Sequence, residues 1–323
     1  MSTTHRPRRS CLAVPGSSTK MMDKARTLES DQVFLDLEDA CAPLAKPGAR
    51  GLIAAALNEG GWGDRVRVVR INDVSTQWAY RDVIDVVEAA GTNLDCIMVP
   101  KVRSERDVAW VDLLLSQIER ANGLDEGGIG LELQIEDAKG LANVDAIARA
   151  SRRTETIIFG PADFMADIRM RSLQIGEQPP GYEVADAFHY PLMRILVAAR
   201  AAGLQAIDGP YAQIRNEAGF RAAAGRAAAL GFDGKWALHP GQIAPANELF
   251  APTQSDFDHA ENILDAYEWH TSSAGGARGA VMLGDEMIDE ASRKMALVTS
   301  AAGRAMGMFR TDVWAAPVAE VSS

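Results

Sequence analysis

The 323-residue chain is 47% apolar and 24% charged, which gives ample material for a buried core and reads as a globular protein of one large domain or two ordinary ones. Its formal charge of −11 and pI near 5.0 speak against a nucleic-acid partner, because phosphate contacts need clustered Lys and Arg. No stretch approaches the roughly 18 to 20 consecutive apolar residues needed to cross a bilayer, and the start MSTTHRPRRS lacks the apolar segment of a secretory signal, so no membrane partner and a cytoplasmic location are expected.

Residues 1–8 read as a flexible tail, and the small basic cluster His5, Arg6, Arg8 and Arg9 reads as solvated and mobile. From there a unit recurs: a short β-like apolar run, a turn or polar cluster, then a longer Ala-rich helical segment. The runs are Cys11–Val14, Val33–Leu37, Val66–Ile71, Cys96–Val99, Gly130–Ile135, Thr156–Phe159, Leu204–Ile207 and Lys235–Leu238. Helices are expected over Lys46–Asn58, Trp78–Ala90, Ser104–Ala121, Ala138–Ala150, Glu183–Ala202 and Glu217–Leu230, with Gly203 and Gly231 as C-caps. Eight βα units predict an α/β fold, a TIM (β/α)8 barrel over 9–252. A doubly wound sheet is the competitor, but no GxGxxG follows the first run.

Beyond the barrel, 253–309 reads as a helical extension suited to act as a lid. It comprises a helix over Ser255–His270, a flexible linker SSAGGAR at Ser272–Arg278, a hairpin around Gly284-Asp285, and a last helix from about Asp289 to Met308. The tail 310–323 is expected to be loosely held. Cys11, Cys41 and Cys96 are odd in number and far apart, without a CxxC, which supports neither a disulfide framework nor a thiolate metal site; Cys11 and Cys96, in apolar runs, read as buried filler.

Chemistry concentrates at the run ends, which a parallel barrel opens on one face. Glu136 and Asp163 end adjacent runs; together they could hold one divalent cation, or each could cap the helix that follows. Arg70 closes VRVVR and offers a guanidinium fork to a carboxylate or oxyanion; a structural ion pair with Glu38 or Asp39 is the alternative. Glu38 and Asp39 read either as supports for Arg70 and metal-bound water or as helix caps. The stretch Gly160, Pro161, Ala162 and Asp163 offers backbone N–H groups at a helix start to an anion, with Pro161 unable to donate, and the small residues there leave room for close approach of a ligand. Lys24, after the first run, could meet an anionic ligand or lie on an exposed helix face. His239 could act as a base, although a strand-end His is more often structural.

The stretches VPGS at Val14, FLDLEDA at Phe34, VVRIN at Val68, DCIMVPKV at Asp95, LQIEDAKG at Leu133, FGPADF at Phe159, GLQAIDGPY at Gly203, GFDGKWALHP at Gly231 and EMIDEASRKMA at Glu286 closely resemble the citrate lyase β-subunit-like (HpcH/HpaI aldolase) proteins, and within them the malyl-CoA/β-methylmalyl-CoA lyases. The resemblance runs in order from about residue 9 to 305. It implies Mg2+, or Mn2+ in its place, on Glu136 and Asp163. It implies Arg70 on the glyoxylate carbonyl, and an acyl-CoA thioester as substrate, cleaved reversibly to acetyl-CoA or propionyl-CoA and glyoxylate. It further implies a homotrimer or homohexamer in which the extension packs on a neighbouring subunit and Asp289 acts there as the proton-transfer group. Asp137 stands where relatives carry Ser or Thr, and is expected to add charge beside the metal. A malyl-CoA thioesterase, a citramalyl-CoA lyase and a non-catalytic scaffold are the alternatives.

Overall fold

The computed structural model describes residues 6–183 and 186–316. Eight parallel strands, β1 (Ser10–Pro15), β2 (Gln32–Asp36), β3 (Val66–Arg70), β4 (Cys96–Val99), β5 (Gly130–Ile135), β6 (Thr154–Phe159), β7 (Gln205–Asp208) and β8 (Gly234–Ala237), pair in sequence, and β8 pairs with β1 to close a TIM-type barrel. All eight expected runs form strands. Alternation sends Val33, Leu35, Val69, Ile97 and Leu131 outward against the helices, while Phe34, Val68, Met98, Ile158, Ile207 and Trp236 fill the interior.

The helices follow their sequence signals. Ser104 and Asp107 form a capping box at the start of Glu105–Asn122. Gly203 (φ 75°) and Gly231 (φ 106°) end their helices in the left-handed conformation that side chains disfavour. Two expectations need correction. The segment expected as one helix, Ala138–Ala150, is two short helices, Ala138–Ala142 and Val144–Ala148, interrupted at Asn143, whose amide group reaches across to the Arg103 carbonyl. The helix expected from Glu183 begins at His189; of the residues between, 184–185 lie outside those described.

The tail reading of 1–8 fails at Arg8, which is 1% exposed and plugs the N-terminal end of the barrel. Its guanidinium donates to Gln32 Oε1 (2.9 Å), Glu132 Oε1 (2.9 Å), Gln205 Oε1 (2.6 Å) and Glu155 Oε2 (2.6 Å), so four strands are tied by one side chain. Arg9 adds a pair with Asp31 at 2.7 Å. All three cysteines are free and buried, as expected of Cys11 and Cys96 as apolar filler.

The chain divides between Phe250 and Ala251 into two compact units. The second holds two long helices, Gln254–Thr271 and Glu290–Ala305, and the hairpin of β9 (Val281–Leu283) and β10 (Glu286–Ile288), turned at Gly284. Ala260, Ile263, Ala266, Val281, Ile288 and Ala296 form its core, and Arg304 and Ser300 both bind Glu261. The linker at 272–278 is a hydrogen-bonded turn rather than a free tether, with Ala277 N bonding Ser272 O and Arg278 N bonding His270 O, both at 2.9 Å. The first residues of the expected loose tail are also held: Arg310 pairs with Asp265, Thr311 with Asp258, and Trp314 N with Asn262 Oδ1. Among the described residues no helix is long and apolar enough to cross a membrane.

Candidate active site

The same alternation that fills the barrel with Phe34 and Val68 brings Asp36 and Arg70, two residues further along β2 and β3, to the C-terminal mouth. Arg70 is 6% exposed and lies over the rings of Phe34 (5.8 Å) and Trp236 (5.3 Å), a floor that suits a weakly hydrated guanidinium. Asp36 grips it in a fork, Nε to Oδ1 at 2.7 Å and Nη2 to Oδ2 at 2.6 Å, while Nη1 lies 2.9 Å from Glu38 Oε2. Burial alone would raise the Asp36 carboxyl, but Arg70 outweighs it and holds the group below the usual carboxylate range. The guanidinium is therefore locked in orientation and charge.

Glu136, one residue past β5, is 3% exposed. Its Oε2 accepts from Gln134 Nε2 (2.7 Å) and its Oε1 from the Lys101 backbone N–H (2.6 Å). The second bond depends on Lys101 holding φ at 51°, a left-handed value that costs a non-glycine residue on the order of 1–2 kcal/mol. Burial, reinforced by the neighbouring Glu38 and Asp163 charges, pushes the Glu136 carboxyl well above its ordinary range. Glu38 is raised as well, by burial first, with Arg70 pulling the other way. The buried ammonium of Lys46 holds the Leu37 and Glu38 carbonyls and Asn72 Oδ1 at 2.6–2.7 Å, so the strand end that carries Glu38 is fixed from below.

Gly160 fits against this carboxylate. A Cβ at Gly160 would lie 2.5 Å from Glu136 Cβ and 2.6 Å from its Oε2, distances that no neighbour can absorb without moving. Gly160→Ala is expected to destabilise the protein by about 1–3 kcal/mol and to lower turnover by shifting Glu136; a variant with wild-type melting temperature and activity would refute the contact.

Pro161, at the first position of the helix Pro161–Asp167, and Ala162 follow Gly160, and Asp163 sits in that helix with its carboxylate 3.8 Å from Lys101 Nζ and 42% exposed. Lys101 Nζ donates to Glu38 Oε1 at 2.5 Å and lies 3.8 Å from Asp39, which is itself exposed. Burial works against the Lys101 charge, yet Glu38, Glu136 and Asp39 outweigh it and hold the ammonium above its ordinary range. The structure thus brings Arg70, Glu38, Glu136 and Asp163 together around Lys101. It does not bring Lys24, which is exposed in the last turn of Thr19–Ala25 and makes no ion pair among the described residues. Asp137 is turned away: its carboxylate caps the next helix through Gly140 N (2.7 Å) and pairs with Arg103 (2.7 Å), so the charge expected beside the metal is already spent. His239 accepts from Gly241 N as a local cap. Asp289, in the second unit, caps its helix by accepting from Ala291 N and Ser292 N.

Two residues of this cluster escape sequence reading. Asp36 sits inside an apolar run and reads as strand filler; the signal is its period-two relation to the inward Phe34. Lys101 reads as a turn residue, because neither its backbone conformation nor its reach to Glu38 has a local signature.

Among the described residues no group of three or more His, Cys, Asp or Glu side chains is arranged to hold a metal ion. A hard cation that keeps its own waters needs only one or two carboxylates. The donor set fits that case: Glu136 and Asp163 offer oxygen only, and four carboxylates (Asp36, Glu38, Glu136, Asp163) face two cations (Arg70, Lys101).

A family model described as HpcH/HpaI aldolase/citrate lyase matches residues 9–240. The L-malyl-CoA/β-methylmalyl-CoA lyase of Cereibacter sphaeroides is 40% identical over 301 residues, 91% of this chain and 93% of that protein. Among solved structures, a citrate lyase of Burkholderia xenovorans has the same fold at TM-score 0.81 and 23% identity, with 95% of this chain and 94% of that one covered. CitE of Mycobacterium tuberculosis, solved with magnesium, acetoacetate and coenzyme A, is 25% identical at TM-score 0.70, with 94% of this chain and 99% of that one covered.

Proposed function

Because the chain belongs to the HpcH/HpaI aldolase/citrate lyase family it is a carbon–carbon lyase, and we propose that it reversibly cleaves a 3-hydroxyacyl-CoA of the L-malyl-CoA or β-methylmalyl-CoA type to acetyl-CoA or propionyl-CoA and glyoxylate. The observation that carries this reading is the forked, buried Arg70 set beside Glu38, Glu136 and Asp163 at the barrel mouth. The matching lyase at 40% identity over nearly the whole chain supports the choice of substrate class.

In this reading Arg70 faces the hydroxyl oxygen that becomes the glyoxylate carbonyl and offsets its negative charge, in the orientation that Asp36 imposes. Glu136 and Asp163 would hold Mg2+, or Mn2+, which when bound polarises the oxygens of the hydroxy-acid end. As the hydroxyl proton leaves to solvent and its oxygen becomes the glyoxylate carbonyl, the carbon–carbon bond breaks and leaves its electron pair on the α-carbon of the thioester, whose carbonyl takes it up as an enolate. A proton must then reach that carbon, and Asp289 supplies it, from a second copy of the chain in a homo-oligomer. Its cap hydrogen bonds, from Ala291 N, Ser292 N and Ser292 Oγ, all go to one carboxylate oxygen, Oδ1, which leaves Oδ2 to the proton.

The test mixes the protein with malyl-CoA and Mg2+, traps glyoxylate with phenylhydrazine and follows free thiol. Glyoxylate without thiol is the expected result; thiol without glyoxylate would make the protein a thioesterase, and neither, across β-methylmalyl- and citramalyl-CoA as well, would leave a scaffold. For the proton step, Arg70→Ala and Asp289→Asn are each expected to be inactive, and oligomers re-formed from a mixture of the two to regain part of the activity. Mixed oligomers without activity would overturn the shared site.

A further inference from the structure

Lys101 has more hydrogen-bonding capacity than its protein partners use. Of its three ammonium donors, the one hydrogen bond among the described residues goes to Glu38 Oε1, while Asp39 and Asp163 stand at 3.8 Å, close enough to attract and too far to bond. Arg70 lies 2.9 Å from the other oxygen of Glu38, although its fork is engaged by Asp36. Two cations therefore flank one carboxylate from its two oxygens. Arg70 is buried and Lys101 has a side chain 20% exposed at the mouth, so the pair presents donors to whatever sits above Glu38.

The backbone makes the same point. Three non-glycine residues among those described hold a positive φ, and of these Lys101 follows a barrel strand directly, two residues after β4 ends at Val99. A glycine would meet that conformation without strain and would donate the same N–H to Glu136. Lysine at this position implies a use for the ammonium that glycine would lose.

We propose that Lys101 binds the substrate directly, as a second cation that works with Arg70 to receive the carboxylate of the 2-oxo-acid half. A small 2-oxo acid carries a full negative charge that the surrounding acids would otherwise repel. Lys101 pairs with that charge while Arg70 remains on the oxygen at the reacting carbon. This rests on the lyase reading above.

The experiment titrates oxalate, a two-carbon stand-in for the oxo acid, into wild type, Lys101→Met and Lys101→Arg in Mg2+ buffer by calorimetry. Mn2+ affinity is measured by electron paramagnetic resonance without oxalate. Lys101→Met is expected to weaken oxalate by about tenfold or more and to raise KM for glyoxylate in the condensation direction more than it lowers kcat, with Mn2+ affinity unchanged or tighter; Lys101→Arg is expected to stay within a few-fold of wild type. Lys101→Gln replaces the Met variant should that fail to fold. Oxalate affinity within twofold of wild type in the neutral variants would overturn the proposal, as would a parallel fall in Mn2+ and oxalate affinity, which would mean that Lys101 only positions the acids. Wild type that neither binds oxalate nor condenses acetyl-CoA with glyoxylate would instead overturn the lyase reading beneath it.

Discussion

Glu136→Gln is expected to lose turnover by on the order of 10²–10³-fold or more while the protein keeps its fold. The fold should survive because the site can rearrange around the new amide. Glu136 Oε1 accepts from Lys101 N, an interaction that a glutamine carbonyl reproduces. The other oxygen faces Gln134 Nε2, and a glutamine NH2 there would set donor against donor. Gln134 Oε1, however, is buried without a hydrogen-bond partner among the described residues, so a flip of the Gln134 amide turns that conflict into a hydrogen bond. The variant also loses a carboxylate that burial and two acidic neighbours disfavour in its charged form, so its melting temperature should match or exceed that of metal-free wild type. Full activity in the folded variant would remove Glu136 from the chemistry; an unfolded variant would show that the amide flip does not happen.

Arg8→Met is expected to cost about 3–5 kcal/mol, the largest loss of stability anticipated for a single change in this chain. Methionine fills much of the space, but Glu132, 0% exposed, loses the cation at 2.9 Å, and Gln205 and Glu155 lose donors at 2.6 Å. The loss should depend on pH, and its sign follows from linkage. Burial outweighs the counter-pull of Arg8 and raises the Glu132 carboxyl above its ordinary value of 4.5, so the folded chain holds that proton more tightly than the unfolded one. Such a group adds stability below the ordinary carboxylate range and withdraws it as pH rises through the raised value. Without Arg8 that value climbs further. The variant should therefore melt closer to wild type at about pH 5 than at about pH 8, and adding Glu132→Gln should recover part of the difference. A penalty below about 1 kcal/mol at the higher pH would show that water or a rearranged Gln32 replaces the guanidinium.

These outcomes separate what was legible in the sequence from what was not. The eight strands and most of their helices are readable because apolar runs and capping residues are local signals; Cys96–Val99 and Glu217–Leu230 coincide with expectation residue for residue. The polar interior is not local. Arg8 looks like part of a basic tail until Gln32, Glu132 and Gln205 are brought around it, and Asp36 looks like filler until Arg70 lies beside it in register. Asp137 shows the reverse error: an acid next to Glu136 suggested added charge at the site, whereas Arg103, 34 residues upstream, claims it for the helix that follows. Glu136 and Asp163 could be nominated at strand ends, but the geometry of their surroundings depends on Lys101, whose conformation no neighbouring residue encodes.

The plug at the bottom of the barrel also bears on synthesis at the ribosome. Arg8 emerges before all of its partners, which lie 24, 124, 147 and 197 residues later. Until Gln205 is made, Arg8 Nη1 lacks its acceptor although Glu132 already has Arg8 and Gln32, and the two last strands of the cylinder are missing. Closure must wait for β7 and β8, and the slowest step of folding should fall after most of the barrel has been translated.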